Sequence, residues 1–111
     1  MKIDEFYNYT RLFDVYGKLL SKKQFEVMDK LLNNDLGESE IAQNLDESRQ
    51  SIHDAITKAK KQLASFEEKC GVLKTLENAK VKLVNVKAFL KNNSKNQEQV
   101  VCLIDDIIDN I

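Results

Sequence analysis

The chain has 111 residues, enough for one domain, or for one domain with an appendage, and a modest core. It contains no proline, no tryptophan and only three glycines, a composition that favours an all-α protein. Seventeen basic and 18 acidic residues give a net charge of −1. This balance argues against tight, non-specific binding of nucleic acid, so any basic contact surface must be local.

Cysteine content and hydropathy indicate the compartment. Two cysteines are too few for a disulfide framework and lack the spacing of metal ligands. Cys70 and Cys102 lie in helical, partly apolar surroundings, which predicts ordinary buried thiols. The first residues have no apolar core of signal-peptide length, and no apolar run is long enough to span a membrane. We therefore expect a cytoplasmic protein with no membrane insertion.

Two amphipathic helices are predicted first. Over about residues 3–20 apolar side chains recur at three- and four-residue steps, which predicts a helix with an aromatic inner face. That face consists of Phe6, Tyr9, Phe13, Tyr16 and Leu20, widened by Leu12 and Leu19. Ser21 and Gln24 form a capping-box pattern that predicts the start of the second helix, and residues 33–37 predict its end. Its expected buried side is Phe25, Met28, Leu31 and Leu32.

The stretch Ser39–Leu63 predicts a helix-turn-helix. Its first helix is expected over about residues 39–44, with Ser39 as N-cap and the small Ala42 allowing close packing on the second helix. Asp46 and Glu47 form the turn, where many such motifs carry a glycine and an apolar residue instead.

The second helix of this motif carries the candidate contact surface. It is expected to begin after the N-cap Ser48 and to run through Leu63 or as far as Cys70, with Gly71 as its terminator or a kink. Its predicted inward face is Ile52, Ala55, Ile56, Ala59 and Leu63. The outward residues proposed to contact nucleic acid or a partner are Ser48, Arg49, Gln50, His53, Thr57, Lys58, Lys60 and Lys61.

The chemistry of these outward residues suits DNA, but a simpler interpretation stands beside it. Arg49 can pair with guanine and Gln50 with adenine from the first turn of a recognition helix, while the lysines would contact phosphates. Four basic residues and Asp54 give residues 48–63 a local charge of +3. A capped helix with exposed lysines is, however, common in any small soluble helical protein. Nothing resembles a nucleophile–base pair, a phosphate-binding glycine loop or a metal site, so we expect no enzyme, cofactor or catalytic residue.

The C-terminal part predicts a helical hairpin. Over about 72–92 apolar residues alternate at four- and three-residue steps, as in a heptad seam, and about 95–111 repeats the pattern. The first seam is Val72, Leu76, Ala79, Leu83, Val86 and Leu90. The second is Val100, Ile104, Ile107 and Ile111, flanked by Val101, Leu103 and Ile108. A turn at Asn92–Ser94 joins them.

These segments predict two domains. Residues 1–70 would form the helix-turn-helix domain, and residues 71–111 a hairpin used for dimerisation or interaction. The apolar residues left over on the hairpin favour a homodimer, although a monomer could also use them to complete its own core.

The order of the segments resembles the YlxM family of bacterial helix-turn-helix proteins over most of residues 4–92. The stretches concerned are YNYTRLFDVYGKLLSKKQ at 7–24 and LGESEIAQNLDESRQSIHDAITKAKKQLASFEEK at 36–69. The most specific pieces are Leu12-Phe13-Asp14 with Tyr16, Glu38 with Ile41-Ala42, and Ser48-Arg49-Gln50 with Asp54. The first two-thirds of the chain also resemble region 4 of bacterial sigma factors, which reads the −35 promoter element.

The resemblance implies a small, cytoplasmic, all-helical protein with a sigma-region-4-like domain. It places Ser48, Arg49, Gln50 and His53 on the recognition helix, with Ser39–Leu45 as its support. It also implies a non-catalytic regulatory role in the signal recognition particle pathway, with the particle's GTPase or its receptor as partner. A sequence-specific DNA-binding transcriptional regulator is the alternative function.

Overall fold

A computed structural model describes residues 1–93 and 97–110 of the chain and confirms the all-α fold class. Its described residues form six α-helices and one 3-10 turn, Gly17–Leu19, and no strand. The helices are α1 Ile3–Tyr16, α2 Lys22–Leu32, α3 Glu38–Leu45, α4 Arg49–Cys70, α5 Val72–Asn93 and α6 Gln97–Asp109. No helix in the described part of the chain is both long and apolar enough to cross a membrane.

The chain divides into two compact units, Met1–Gly71 and Val72–Ile111. We call them the helix-turn-helix unit and the hairpin unit. Gly71 adopts the left-handed conformation, with φ of 62°, and its N–H donates to the Glu67 carbonyl, so α4 ends there. The next helix begins directly at Val72.

Helix α1 presents the predicted aromatic face to the core, and Leu12, Phe13 and Tyr16 are buried. At Gly17 the backbone changes to a 3-10 turn, and a Cβ on Gly17 would lie 3.0 Å from the Phe13 ring. The predicted inward position of Leu19 is wrong, because the tighter pitch turns this side chain outward and leaves it 62% exposed.

Helix α2 begins with the predicted capping box, in which Ser21 accepts from the Gln24 N–H and the Gln24 side chain accepts from the Ser21 N–H. Met28 is fully buried, as is Val27, which the sequence pattern did not single out. Phe25 is 38% exposed, yet its ring centroid lies 5.0 Å from that of Phe13, so it caps the aromatic cluster from its edge.

Helix α3 begins one residue earlier than predicted, at Glu38, and Ser39 is not its N-cap. The Glu40 carboxylate reaches back to within 3.5 Å of the Gly37 N–H, so an acid in the first turn takes the role that was expected of a hydroxyl. Ile41 and Ala42 are buried, as predicted, and α3 packs on both α2 and α4.

Helix α4 is the central helix of the helix-turn-helix unit, because α1, α2 and α3 all pack on it. Its predicted inward face is confirmed, and every member is buried: Ile52, Ala55, Ile56, Ala59 and Leu63. Beyond Leu63 the helix continues for two turns, where Phe66 lies 6.0 Å from the Tyr16 ring and Glu67 accepts a hydrogen bond from the Tyr16 hydroxyl.

In the hairpin unit, α6 packs on α5 and Lys87 Nζ lies 2.6 Å from Asp105 Oδ1. The seam differs from the predicted one. On α5 the half-buried positions include Leu76, Ala79, Leu83 and Leu90 as predicted, but Val72 and Val86 are exposed. On α6 the seam is Val101, Ile104 and Ile108, whereas Val100 and Ile107, predicted to be inside, are exposed. The predicted turn is also displaced, since α5 continues through Asn92 and Asn93; Ser94 and Ile111 lie outside the described residues.

The prediction that the cysteines are buried is wrong, because both thiols are exposed. Cys70 is the last residue of α4 and lies beyond the buried stripe that ends at Leu63. Cys102 lies two residues before the buried Ile104, and two residues on an α-helix correspond to a rotation of about 200°, which turns Cys102 away from the seam.

Candidate recognition surface on helix α4

The turn between α3 and α4 holds the start of α4 in a defined position at the surface. Asp46 ends α3 in the left-handed conformation, with φ of 53°, a conformation that Asp tolerates better than most residues. The Glu47 N–H donates to the Ala42 carbonyl at 3.0 Å. The Ser48 hydroxyl then accepts from the Ser51 N–H at 3.0 Å, which confirms Ser48 as the N-cap. An acidic turn thus closes this motif without the usual glycine.

Arg49 and His53 share one acidic neighbour, Glu38. The Arg49 Nε atom lies 4.0 Å from Glu38 Oε2, and the His53 Nδ1 atom lies 2.9 Å from Glu38 Oε1. The Arg49 and His53 side chains stay 73% and 56% exposed, while that of Glu38 is 30% exposed. Together with Gln50 they line a shallow open depression. A ligand that uses Arg49 therefore meets a carboxylate beside it.

The Gln50 side chain also contacts an acidic residue. Its amide nitrogen donates to Asp54 Oδ1 at 2.9 Å, one turn further along the helix. Thr57 donates its hydroxyl proton to the His53 carbonyl at 3.0 Å, so the proton is used by the helix backbone while the hydroxyl oxygen can still accept. Both proposed base-reading side chains are exposed, and each one lies next to an acid.

The three lysines of the candidate surface differ in availability. Lys60 is only 22% exposed: its ammonium lies 3.3 Å from Glu5 Oε1 and 5.2 Å from the centroid of the Tyr9 ring. It ties α4 to α1. Lys58 and Lys61 are exposed, and neither has an ion-pair partner among the residues that the structure describes. They are the lysines that an anionic ligand could reach.

A second polar cluster, which sequence reasoning missed, joins α2 to the start of α4. The Lys23 ammonium lies 2.6 Å from Glu47 Oε1 and 2.8 Å from the Ser51 hydroxyl, and Ser51 donates to Glu47 at 3.1 Å. The hydrogen bond from Lys23 lowers the pKa of Glu47 below its usual value, with a further contribution from Ser51. Lys23 and Glu47 are 24 residues apart, so no local sequence signal predicts their contact.

No local sequence signal predicts the contacts of Glu38 either, since this residue stood out in the sequence only as part of a motif. It approaches Arg49 and His53 because the tight turn folds the first residues of α3 back over the start of α4. No group of three or more His, Cys, Asp or Glu side chains in the described part of the chain could hold a metal ion. The surface presents exposed cations interrupted by carboxylates, so it is polar and of mixed charge.

Comparison with known proteins finds one matching family model and several relatives of similar length. A profile of the family "UPF0122: Putative helix-turn-helix protein, YlxM / p13 like" matches residues 3–107. A UPF0122 protein of Acetivibrio thermocellus is 34% identical, and the alignment covers 96% of this chain and 99% of that protein. One from Clostridium perfringens is 38% identical over 90% of this chain and 89% of its own, and one from Fusobacterium nucleatum is 38% identical over 84% and 91%. No solved structure matches the chain.

Proposed function

The chain belongs to the UPF0122 family of helix-turn-helix proteins, and on that premise we propose that it is a non-catalytic regulatory protein. In this proposal the exposed first half of helix α4 binds another protein in the signal recognition particle pathway, the particle's GTPase or its receptor, in the cytoplasm. The pathway comes from the family resemblance, and the class of partner from the chemistry of the surface.

The observation that carries the proposal is the pairing of Glu38 with both Arg49 and His53. A nucleic acid presents a continuous row of phosphates, and carboxylates beside the arginine would repel it. A protein surface offers both signs of charge and can place an acid next to Arg49 and a hydrogen-bond donor next to Glu38. Asp54 lies beside Gln50 in the same way, so a carboxylate accompanies this second contact residue along the helix.

The test is a binding titration of the full chain with the purified GTPase, and separately with its receptor. Arg49→Ala removes the exposed cation beside Glu38 and is expected to weaken binding at least about thirtyfold, the loss typical of an interface hot spot. Lys69→Ala is the matched control, since it removes one exposed cation from the same helix about 30 Å away and leaves binding unchanged. If neither protein binds and GTP hydrolysis is unaffected, the proposal is wrong.

Sequence-specific DNA binding is the second candidate function. It is favoured by the 73% exposure of Arg49 in the first turn of α4 and by Lys58 and Lys61, which have no ion-pair partner among the described residues. If DNA is the ligand, Arg49→Ala relaxes sequence preference, whereas Lys61→Ala weakens binding to all sequences and lowers the salt dependence by about one ion. Absence of binding to genomic fragments at low salt excludes this function.

The proposal includes a homodimer assembled through the hairpin unit. Two copies would present two α4 surfaces to a partner. The support is the number of apolar side chains on α5 and α6 that the hairpin leaves exposed.

A further inference from the structure

The hairpin unit carries two exposed apolar stripes outside its seam. On α5, Val86 and Phe89 are 48% and 65% exposed. On α6, the exposed residues recur at three- and four-residue steps, with Val100 at 37%, Leu103 at 61% and Ile107 at 49%. Each spacing places its residues along one side of one helix.

Both stripes lie on the same side of the hairpin. The opposite side is a groove lined by Val84 and Ala88 of α5 and by Asp105 and Asp109 of α6. Residues two apart on an α-helix point about 200° apart. Val86 lies two residues from both Val84 and Ala88, so it faces away from the groove.

The same spacing holds on α6. Leu103 and Ile107 each lie two residues from Asp105, and Ile107 also lies two residues from Asp109. The five exposed side chains therefore form one surface, which we call the apolar face: Val86, Phe89, Val100, Leu103 and Ile107.

The hairpin unit is too small to bury its apolar residues alone. It spans Val72–Ile111, and among its described side chains only Leu73 and Ile104 are buried. Units of about 40 residues usually need oligomerisation or a covalent or metal link to be stable. An apolar surface of this kind on a helical hairpin is typical of one half of a four-helix bundle.

The net charges of α5 and α6 indicate which molecule covers the apolar face. Helix α5 carries five lysines and one glutamate, for a net charge of +4, whereas α6 carries four acids and no basic residue, for −4. A second copy brings the same two helices. If α5 lies over α6 of the other copy, opposite charges meet twice; if α5 lies over α5, lysines meet lysines.

We propose that the apolar face is the dimer interface, covered by the same face of a second copy, with α5 of each copy packed on α6 of the other. A two-fold axis parallel to the helices produces this arrangement, and all neighbouring helices are then antiparallel. The inference rests on the proposed homodimer and does not depend on what helix α4 binds.

Sedimentation velocity of the full chain at micromolar concentration tests the interface. The wild-type protein sediments as a dimer, and Leu103→Asp or Ile107→Asp shifts it to a monomer with an unchanged circular dichroism spectrum. Val81→Asp is the matched control, because Val81 is 58% exposed but lies outside the apolar face, and this variant remains a dimer. A monomeric wild-type protein, or variants that dissociate no more than Val81→Asp, overturns the proposal.

A charge exchange tests the crossed order of the helices. Lys82 lies four residues before Val86, and Asp106 lies three residues after Leu103, so each borders the apolar face. Both are exposed, and neither has an ion-pair partner among the described residues. Lys82→Glu and Asp106→Lys each raise the dimer dissociation constant several-fold, and the double variant recovers it. A double variant that is additively weaker overturns the α5-on-α6 order.

Failure of this inference is distinguishable from failure of the proposed function. Leu103→Asp leaves Arg49 and its surroundings unchanged, so a monomeric variant still binds the GTPase through α4, with lower apparent affinity if two copies bind together. Arg49→Ala, conversely, leaves the sedimentation coefficient of the dimer unchanged.

Discussion

Helices α4 and α5 have the same length, 22 residues each, and very different environments. Helix α4 is packed by α1, α2 and α3 and buries five side chains in one stripe. Helix α5 has α6 beside it within its own unit and leaves several valines and Phe89 exposed. The two helices are therefore alike in length and apolar periodicity, but α4 lies in a closed core and α5 leaves one face open. What differs is the number of neighbours available to cover each helix.

The difference separates two roles for apolar residues. In the helix-turn-helix unit they hold α4 so that its polar start is presented at the surface. In the hairpin unit several apolar side chains are exposed and themselves form part of the surface. Four pairs of variants test this contrast, in order of decreasing expected effect.

Two isoleucines, one from each unit, provide the most direct test. Ile52 is fully buried, and Ile52→Ala is expected to cost about 2–5 kcal/mol of unfolding free energy, through lost burial and the cavity left behind. Ile107 is 49% exposed, and Ile107→Ala should cost less than about 1 kcal/mol in dilute solution. Urea unfolding followed by circular dichroism measures both. If Ile107 lies in a dimer interface, its cost rises with protein concentration, whereas that of Ile52→Ala does not. Equal losses in dilute solution would contradict the contrast.

The boundary between the units depends on one backbone conformation. Gly71 has φ of 62°, and no atom lies within 4 Å of a Cβ built there, so Gly71→Ala introduces backbone strain alone. We expect a loss of about 1–2 kcal/mol by thermal unfolding. Gly37→Ala is the control, since Gly37 has an ordinary φ of −79° and its Cβ would meet only the Glu40 side chain at 3.7 Å. A larger loss for Gly37→Ala would contradict the expectation that the left-handed backbone at Gly71 specifically requires glycine.

A comparison of two serine variants distinguishes the two predicted N-caps of the helix-turn-helix. Ser48→Ala removes the hydroxyl that accepts from the Ser51 N–H and should cost about 1 kcal/mol. Ser39→Ala changes a residue that the sequence predicted as a cap but that lies inside α3, and its cost should stay within about 0.5 kcal/mol. Denaturant midpoints measure both, and similar midpoints for the two variants would exclude a specific role for Ser48.

The smallest effect is a pH dependence at the α2–α4 contact. Because Lys23 lowers the pKa of Glu47 in the folded chain, this carboxylate stabilises the fold above the ordinary glutamate pKa, and the contribution is lost as pH falls through the lowered value. The difference in Tm between wild type and Glu47→Gln is therefore small but positive at neutral pH and shrinks below about pH 4. Glu68→Gln, at an exposed glutamate with no ion pair among the described residues, is the control and should show no such trend.

Local rules predicted much of the helix-turn-helix unit. The capping box at Ser21, the N-cap at Ser48 and the glycine that ends α4 are interactions between residues within four positions of each other, and all three are present. The inward stripe of α4 was also correct, because one regular helix under a single core follows a single period. The errors arose where the period changed, as at Leu19 in the 3-10 turn, or where an acid replaced a cap, as at Glu40.

The candidate surface was located from sequence, but its electrostatic character was not. Arg49, Gln50 and His53 are on the exposed side of α4, as their spacing predicted. The carboxylate of Glu38 beside them comes from another helix, and the attachment of Lys60 to Glu5 spans 55 residues. Contacts of this kind depend on how helices are placed against each other, which periodicity does not report.

The sequence by itself determined the helices, the ends of α2 and α4 and the position of the helix-turn-helix, because hydrogen bonding and helical periodicity act between near neighbours. Only the tertiary structure decided which apolar residues are covered and which cations are neutralised. Val86 and Ile107 follow the heptad pattern as well as Leu83 and Ile104 do, yet they lie outside the seam. Burial is decided by the neighbour that a side chain meets, and for helix α5 the neighbour within its own unit is α6.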